Sequence, residues 1–366
     1  MPYENVYSCA RYSVRGGRAD MSVTIKDVAK AAHVSVASVS RVLNGRENVN
    51  EETRKRILAA VRRLRYIPNG AARSLITRRT HTLGALLPDL HGEFFSELIR
   101  GIDIAARAHG QHLLVSSSHG DADEAAAALR TMRGKVDGLL VMSPYADADF
   151  LADNLPPAMP TVLINTPHTP DNCMAMSVDN HAGAYAMVEH LASLGHRHIA
   201  FINGPDDNFE AQNRLLGYRD AMAEFLPGTP LQILEGEFTD VSGYRAGQHL
   251  LQLEQRPDAV FAANDMMAIG CLSALHEAGL RVPEDIALAG FDDIPLARYI
   301  TPKLTTVRVH IAELGEQALE RLVQAIEDPN ADAEREKTLE SELVLRASSG
   351  TSAHKTRRKT AHVSKV

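Results

Sequence analysis

Between Thr24 and Gly45 the chain carries two helical patterns with only His33-Val34 to turn between them. A connection that short leaves one economical arrangement, two short helices crossing at a tight turn. Thr24 stands where an N-cap belongs and Asp27 follows three residues later, the spacing of a capping box with the shorter acid. Ile25, Val28, Ala29 and Ala32 then share one face. Ser35 is placed to cap a second helix with Val39, Val42 and Leu43 as its apolar face. Asn44-Gly45 ends it, because both residue types tolerate positive φ. A third pattern follows Asn50, with Glu51 and Glu52 in the first turn, where the helix dipole favours acids. Its expected buried stripe is Ile57, Leu58, Val61 and Leu64.

A helix-turn-helix pattern alone also describes a small helical bundle with no nucleic-acid role. Charge separates the two readings. From Met21 to His81 there are thirteen basic residues against four acidic ones, in a chain whose total is −7. Such local asymmetry is the footprint of a polyanion partner. In a DNA-bound helix-turn-helix the second helix enters the major groove with its N-terminal residues toward the bases. Those residues are Ser35, Val36, Ala37 and Ser38, with Arg41 one turn on. An arginine fork suits a guanine edge, Val36 and Ala37 suit a thymine methyl, and Ser38 or Ser40 suits a phosphate.

The segments TIKDVAKAAHVSVASVSRVLNG and VNEETRKRILAAVRRLRYIPNGAARSL resemble the DNA-binding headpiece of the LacI/GalR transcription regulators over some fifty residues. The resemblance implies DNA contacts from Thr24, Ser35, Val36, Ala37, Ser38, Ser40, Arg41 and Asn44. It also implies that Asn69–Leu75 is a hinge helix that folds on the operator, with Leu75 wedged into the minor groove and Asn69 and Ala72 supporting it. From the residues alone Leu75 reads as a linker leucine. Seven residues do not sustain a helix alone in water, and an apolar wedge is a known minor-groove device.

Thr82–Arg346 reverses the charge, with eighteen basic residues against forty acidic. An acidic body disfavours non-specific DNA binding. Apolar runs at Leu83–Leu87, His112–Ser116, Gly138–Met142, Thr161–Ile164, Ile199–Ile202, Ala259–Ala262 and Ile286–Ala289 alternate with helical patterns. Those patterns include Phe94–His109, His181–Leu194, Arg214–Leu226, Tyr244–Leu253 and Met266–Ala278. Buried strands alternating with helices argue for parallel sheets covered on both faces, and the length argues for two of them. Ligands in such folds bind at the carboxyl ends of strands. Asp89, Phe94 and Phe95 follow the first run, Asn165 the fourth, Asn264 the sixth and Asp292-Asp293 the last, while Arg214 opens a helix after the fifth. Each has a plainer reading, with Asn264 as a helix cap, the aspartates as turn caps and Arg214 as a surface charge. Together they supply the amides, carboxylates, arginine and flat apolar rings that sugars require.

The resemblance continues through RLLGYRDAM, PDAVFAANDMMAIG, GLRVPEDIALAGFDD and YITPKLTTVR. It implies a core similar to the periplasmic sugar-binding proteins, two α/β subdomains joined by crossover strands. It implies effector contacts at Asn165, Arg214, Asn264 and Asp292, with Asp89, Phe94 and Phe95 in the first-strand loop. The helix after Phe94 and the segment near Asp89 correspond to a dimer face. Asp89 adds a carboxylate near the first loop, which favours a neutral sugar over a sugar phosphate.

The fold expected is an all-α helix-turn-helix headpiece plus an α/β core of two parallel-sheet subdomains. Residues 1–20 read as a disordered extension or a mis-assigned start before Met21, and 21–67 as the headpiece. Residues 68–81 read as hinge helix and linker, 82–346 as a two-lobed effector-binding and dimerisation core, and 347–366 as a disordered basic tail. The tail has no leucine heptads, so a homodimer is expected. No apolar run approaches a membrane span or a secretory signal. Three scattered cysteines argue for a reducing compartment, hence a cytoplasmic, nucleoid-associated protein. The HxH at His196 and His198 lies at a helix-to-strand turn, and no metal or cofactor is expected. No nucleophile–base set or phosphate loop stands out, so the expectation is a regulator and not an enzyme. A transport protein sharing the core is disfavoured by the missing signal and the basic headpiece.

Overall fold

The computed structural model describes residues 23–43, 48–66, 79–145, 148–328 and 334–350. Asn44, Asn69, Ala72 and Leu75 lie outside the described residues, as do the expected extension, the hinge helix and residues 351–366. The chain divides into two units, one ending at Thr80 and the other beginning at His81.

The first unit holds α1 (Ile25–Ala32), α2 (Val36–Leu43) and α3 (Glu51–Leu64). Their starts are fixed by local side chains. The Asp27 carboxylate accepts hydrogen bonds from the Thr24 hydroxyl (2.7 Å) and backbone N–H (2.9 Å), which hold its carboxyl below the usual range. Ser35 Oγ accepts from Ser38 N (3.1 Å) and Asn50 Oδ1 from Glu52 N (2.9 Å). Val28, Ala29, Ala32, Val39, Val42, Ile57 and Ala60 make the core. Leu58 departs from the expected stripe: it is 38% exposed, and Ala60 takes the inward place. A 3.6-residue period carries Ile57 to Ala60 and Val61 and turns Leu58 out of that face.

The second unit contains two six-stranded sheets. The first is formed by β1 (Thr82–Leu87), β2 (His112–Ser117), β3 (Leu139–Met142), β4 (Thr161–Ile164), β5 (Met174–Val178) and β11 (Glu336–Leu339), in the order β11-β5-β4-β3-β1-β2. The second is formed by β6 (Ile199–Ile202), β7 (Gln232–Leu234), β8 (Ala259–Ala262), β9 (Ala287–Asp292), β10 (Thr305–Arg308) and β12 (Glu342–Val344), in the order β12-β10-β9-β8-β6-β7. Every pairing is parallel except β10 with β12. Strands β3, β4, β6 and β8 are buried throughout, as a sheet covered on both faces requires.

The covering helices are α4 (Glu93–Ala108), α5 (Ala122–Met132), α6 (Ala148–Asn154), α7 (Asn180–Ser193), α8 (Phe209–Phe225), α9 (Asp240–Leu250), α10 (Asp265–Glu277) and α11 (Ile311–Glu327). The chain passes between the lobes three times, after β5, between β10 and α11, and between β11 and β12. Helix α11 returns to the first lobe and crosses α4 at Gly101, where an added Cβ would lie 2.0 Å from Ala312 O.

Of the boundaries that differ from expectation, three matter most for the site and its surroundings. Helix α8 begins at Phe209, because Asn208 Oδ1 accepts from Glu210 N (2.9 Å) and Ala211 N (3.0 Å). Arg214 therefore lies in the second turn and does not open the helix. Strand β9 continues to Asp292, which is its last residue. Ala347–Ser349, read as the start of the tail, form a 3-10 turn in which Ser348 and Ser349 are buried and Ser348 Oγ donates to Leu288 O (2.6 Å). Among the described residues no helix is long and apolar enough to cross a membrane.

Candidate functional sites: an exposed helix face and an interlobe cavity

On α2 the helical period sends Val39 and Val42 inward and leaves Val36, Ala37 and Arg41 exposed, with Ser35 exposed just before the helix. Ser38 and Ser40 are half-buried at the edge of that face, and Ser38 Oγ lies 3.0 Å from Ser35 Oγ. Val36 is 40% exposed, an apolar side chain held out of its own core. Thr24 is exposed at the head of α1, and Lys26, Lys30, Lys55, Arg56, Arg62 and Arg63 are exposed on the same unit. The arrangement offers a short polar and apolar reading edge on a cationic body.

The second site is a cavity of about 220 Å³ in the second unit, with walls from both lobes. Six of the residues singled out in the sequence line it: Asp89, Phe94, Phe95, Arg214, Asn264 and Asp292. In its wall Arg214 is 3% exposed. Its Nε donates to Asn180 Oδ1 (2.8 Å) and Nη1 to Ala263 O (2.6 Å), and its guanidinium lies 3.9 Å from the Phe291 ring centroid. Two buried carboxylates flank it, Asp292 Oδ1 at 3.3 Å and Glu210 Oε1 at 3.5 Å. Burial pushes the Asp292 carboxyl up to about 7, against the pull of Arg214 and with the push of Glu210. Burial raises Glu210 as well, opposed by Arg214 and by the hydrogen bond from Asn165. Asp292 Oδ1 is close to the arginine without hydrogen-bond alignment, a buried oxygen on a residue that lines the cavity.

Asn264 is the helix cap of its plainer reading, and it also lines the cavity. Its Oδ1 caps α10 by accepting from Met267 N (2.9 Å), its Nδ2 donates to Phe238 O (2.9 Å), and its surface still faces the cavity. Asn165 does not line the cavity. It is buried, its Nδ2 donates to Glu210 Oε1 (2.8 Å) across the lobes and its Oδ1 accepts from Val178 N (3.1 Å). Its amide is thus spent on the protein, and the wall carboxylate is Glu210. Two further bonds join the lobes here, Phe209 N to Pro144 O (3.2 Å) and Leu296 N to Glu93 Oε2 (2.9 Å).

The sequence reading did not single out Glu210, Tyr145, Asn208 or Phe238, all of them wall residues. A signal existed for Glu210, which follows the cap Asn208 and stands four residues before Arg214, on one helix face. Carboxylates of Asp89, Glu93, Glu210, Glu237, Asp240 and Asp292 line the cavity with one arginine. That balance repels an anion and accepts a neutral ligand rich in donors.

The sequence model "Bacterial regulatory proteins, lacI family" matches residues 24–69, and "Periplasmic binding protein-like domain" matches 188–349. The ribose operon repressor of Haemophilus influenzae is 38% identical over 89% of this chain and 98% of its own length. The chain belongs to the LacI family. Its architecture is similar to that of the lac repressor dimer bound to operator and the anti-inducer ONPF, with a TM-score of 0.80 and 28% identity over 90% of this chain and 100% of that one. A LacI family regulator from Enterococcus faecium with bound ribose is 30% identical, with a TM-score of 0.67, over 74% of this chain and 98% of that one. The headpiece fold and the two-lobed core expected from the sequence are those of the family.

Proposed function

We propose that this LacI-family chain is a cytoplasmic homodimeric repressor of carbohydrate-utilisation genes, that it reads a pseudo-palindromic operator and that it answers to a neutral sugar. The exposed face of α2 is the reading edge in this proposal. Ser35, Val36, Ala37 and Arg41 meet base edges, and Thr24, Ser38, Ser40 and Asn44 secure the backbone. Asn69, Ala72 and Leu75 belong to the paired hinge that bends the centre of the site.

The observation that carries the sugar reading is Arg214 flanked by Glu210 and Asp292 inside a wall of Phe94, Phe95 and Phe238. Fixed polar groups take paired hydroxyls, and the rings take the C–H face. The ribose named for two relatives makes D-ribose the first probe. The ligand acts by binding one arrangement of the two lobes better than another, and the lobe arrangement biases hinge order. A regulator, unlike an enzyme, returns its ligand unchanged.

Enrichment of randomised duplexes on the purified dimer tests the first half, and it is expected to return a two-fold-related motif with a short central spacer. Addition of D-ribose, D-glucose or cellobiose is then expected to change the affinity for that motif. Enrichment of no motif, or chemical conversion of the bound sugar, would overturn the proposal.

A further inference from the structure

Asp292, the last residue of β9, and Asp293 just after it have φ of 112° and 56°, two successive side-chain-bearing residues at positive φ. Such a backbone persists only where its surroundings over-determine it. The two carboxylates part there. Asp292 faces the cavity, while the Asp293 side chain is wholly buried away from its wall.

Asp293 is held by three arginines. Arg308 Nε donates to its Oδ2 (2.7 Å), Arg298 Nη2 approaches the same oxygen (3.4 Å), and Arg346 Nη2 donates to Oδ1 (2.5 Å). Arg346 is the buried member, with its side chain 11% exposed against 30% for Arg308 and 54% for Arg298. Its second nitrogen, Nη1, donates to Leu304 O (2.7 Å), and its backbone N–H donates to Thr305 Oγ1 (2.9 Å). The 3-10 turn after it is pinned in turn, with Thr305 N donating to Ser348 Oγ (2.8 Å). A fork fixed at both tines positions its partner in a way a point charge does not.

We infer that Arg346, at the far end of the chain and outside the cavity wall, is a positioning residue of the ligand site: through Asp293 it holds the left-handed turn that presents Asp292 to the ligand. The inference rests on reading the cavity as the ligand site. Arg308 couples the same carboxylate to Glu342, its Nη1 donating to Glu342 Oε1 (2.5 Å), so the turn is tied to two interlobe crossings as well.

The test compares the full chain with Arg346→Gln and Arg346→Lys, using calorimetry with D-ribose, D-glucose and cellobiose. It also follows the Asp292 carboxyl carbon by ¹³C NMR titration, assigned with Asp292→Asn. Arg346→Gln is expected to weaken binding of whichever sugar the wild type takes by about tenfold, the scale of a lost charge-assisted bond. It is also expected to raise the Asp292 midpoint, because the Asp293 charge loses a compensating cation. Arg346→Lys restores the midpoint, but the affinity only in part. Arg335→Gln, which loses bonds to Thr169 O and Pro170 O in the first lobe, is the control for general loosening and moves neither readout. Unchanged affinity and midpoint in Arg346→Gln, or equal shifts in Arg335→Gln, would overturn the inference. If the wild type takes none of the three sugars, the cavity is not a site for those three, and the Asp292 midpoint in Arg346→Gln still decides whether Arg346 acts on Asp292 through Asp293.

Discussion

Arg41 and Arg214 are both arginines on helices, yet Arg41 stands in solvent on α2 and Arg214 is 3% exposed inside the second unit. The first unit packs a core of small apolar side chains and keeps its polar chemistry outside. The second places buried charges against each other: Glu210, Arg214 and Asp292 at the cavity, Asp265 behind them and Asp293 among its arginines. Under the proposed function, function and stability are separable in the headpiece and fused in the core.

The largest effect expected from that contrast is for Arg214→Met. Removing the cation leaves Glu210 and Asp292 buried without compensation, and breaking one side of a buried pair costs about 3–5 kcal/mol. The lower end applies here, because burial raises the Asp292 carboxyl and eases its loss of the cation by protonation. Scanning calorimetry of the whole chain should show the core transition falling while the headpiece transition stays, with sugar binding lost. A second change, Glu210→Gln, should return part of the lost stability. If the core transition did not move, Arg214 would be a ligand group only and the fusion of roles would fail.

Next in size is the response to pH, which runs in opposite directions in the two units. The Asp292 carboxyl is raised to about 7 in the folded core, so between its ordinary value and 7 the folded state binds the extra proton. Core stability accordingly falls as pH rises through that window, and Asp265, raised by burial and by Asp292, adds to the same slope. In the headpiece the Asp27 carboxyl is lowered by its Thr24 bonds, so its contribution is present above the ordinary carboxylate range and fades below it. Melting followed from pH 4 to pH 8 should show the core weakening upward, by on the order of a few kcal/mol, and the headpiece weakening only at the acid end. Asp292→Asn should flatten the core slope.

The same contrast explains what the sequence made legible. Headpiece helices are set by neighbours three and four residues away, so the caps at Thr24, Ser35 and Asn50 and the stripes of α1 and α2 were readable directly. Only Leu58, one position off the stripe, was misjudged. In the core seven strands were readable as apolar runs, and six of the cavity residues as polar or aromatic groups after them, while β5, β7 and β10 were not singled out. Asn165 was not readable, because its partners Glu210 and Val178 are forty-five and thirteen residues away. Glu210 was missed because a glutamate on a helix ordinarily marks the solvent face, and here that face, shared with Arg214, closes on Asn165 of the first lobe. The edge strands β11 and β12, EKTL and ELV, are too short to show a pattern before the lobes are assembled. The 3-10 turn at Ala347–Ser349 is invisible for the same reason, since its serines are buried by β9 and β10.

The smallest stability effect, and the sharpest test of separability, is expected for Arg41→Ala. Its side chain is exposed and its helix face carries the proposed base contacts, so truncation should leave both calorimetric transitions within experimental error. Alanine is also the better helix former, which removes any propensity penalty. Discrimination between the selected duplex and one altered at a single base pair should shrink by about 1–3 kcal/mol at that position alone. Lys26→Ala or Lys55→Ala, also exposed cations of the first unit, should instead weaken all duplexes alike and flatten the salt dependence. A uniform loss from Arg41→Ala would make it one more phosphate contact. A drop in headpiece melting would make the outer face of α2 part of the fold, and the contrast with Arg214 would then be one of degree.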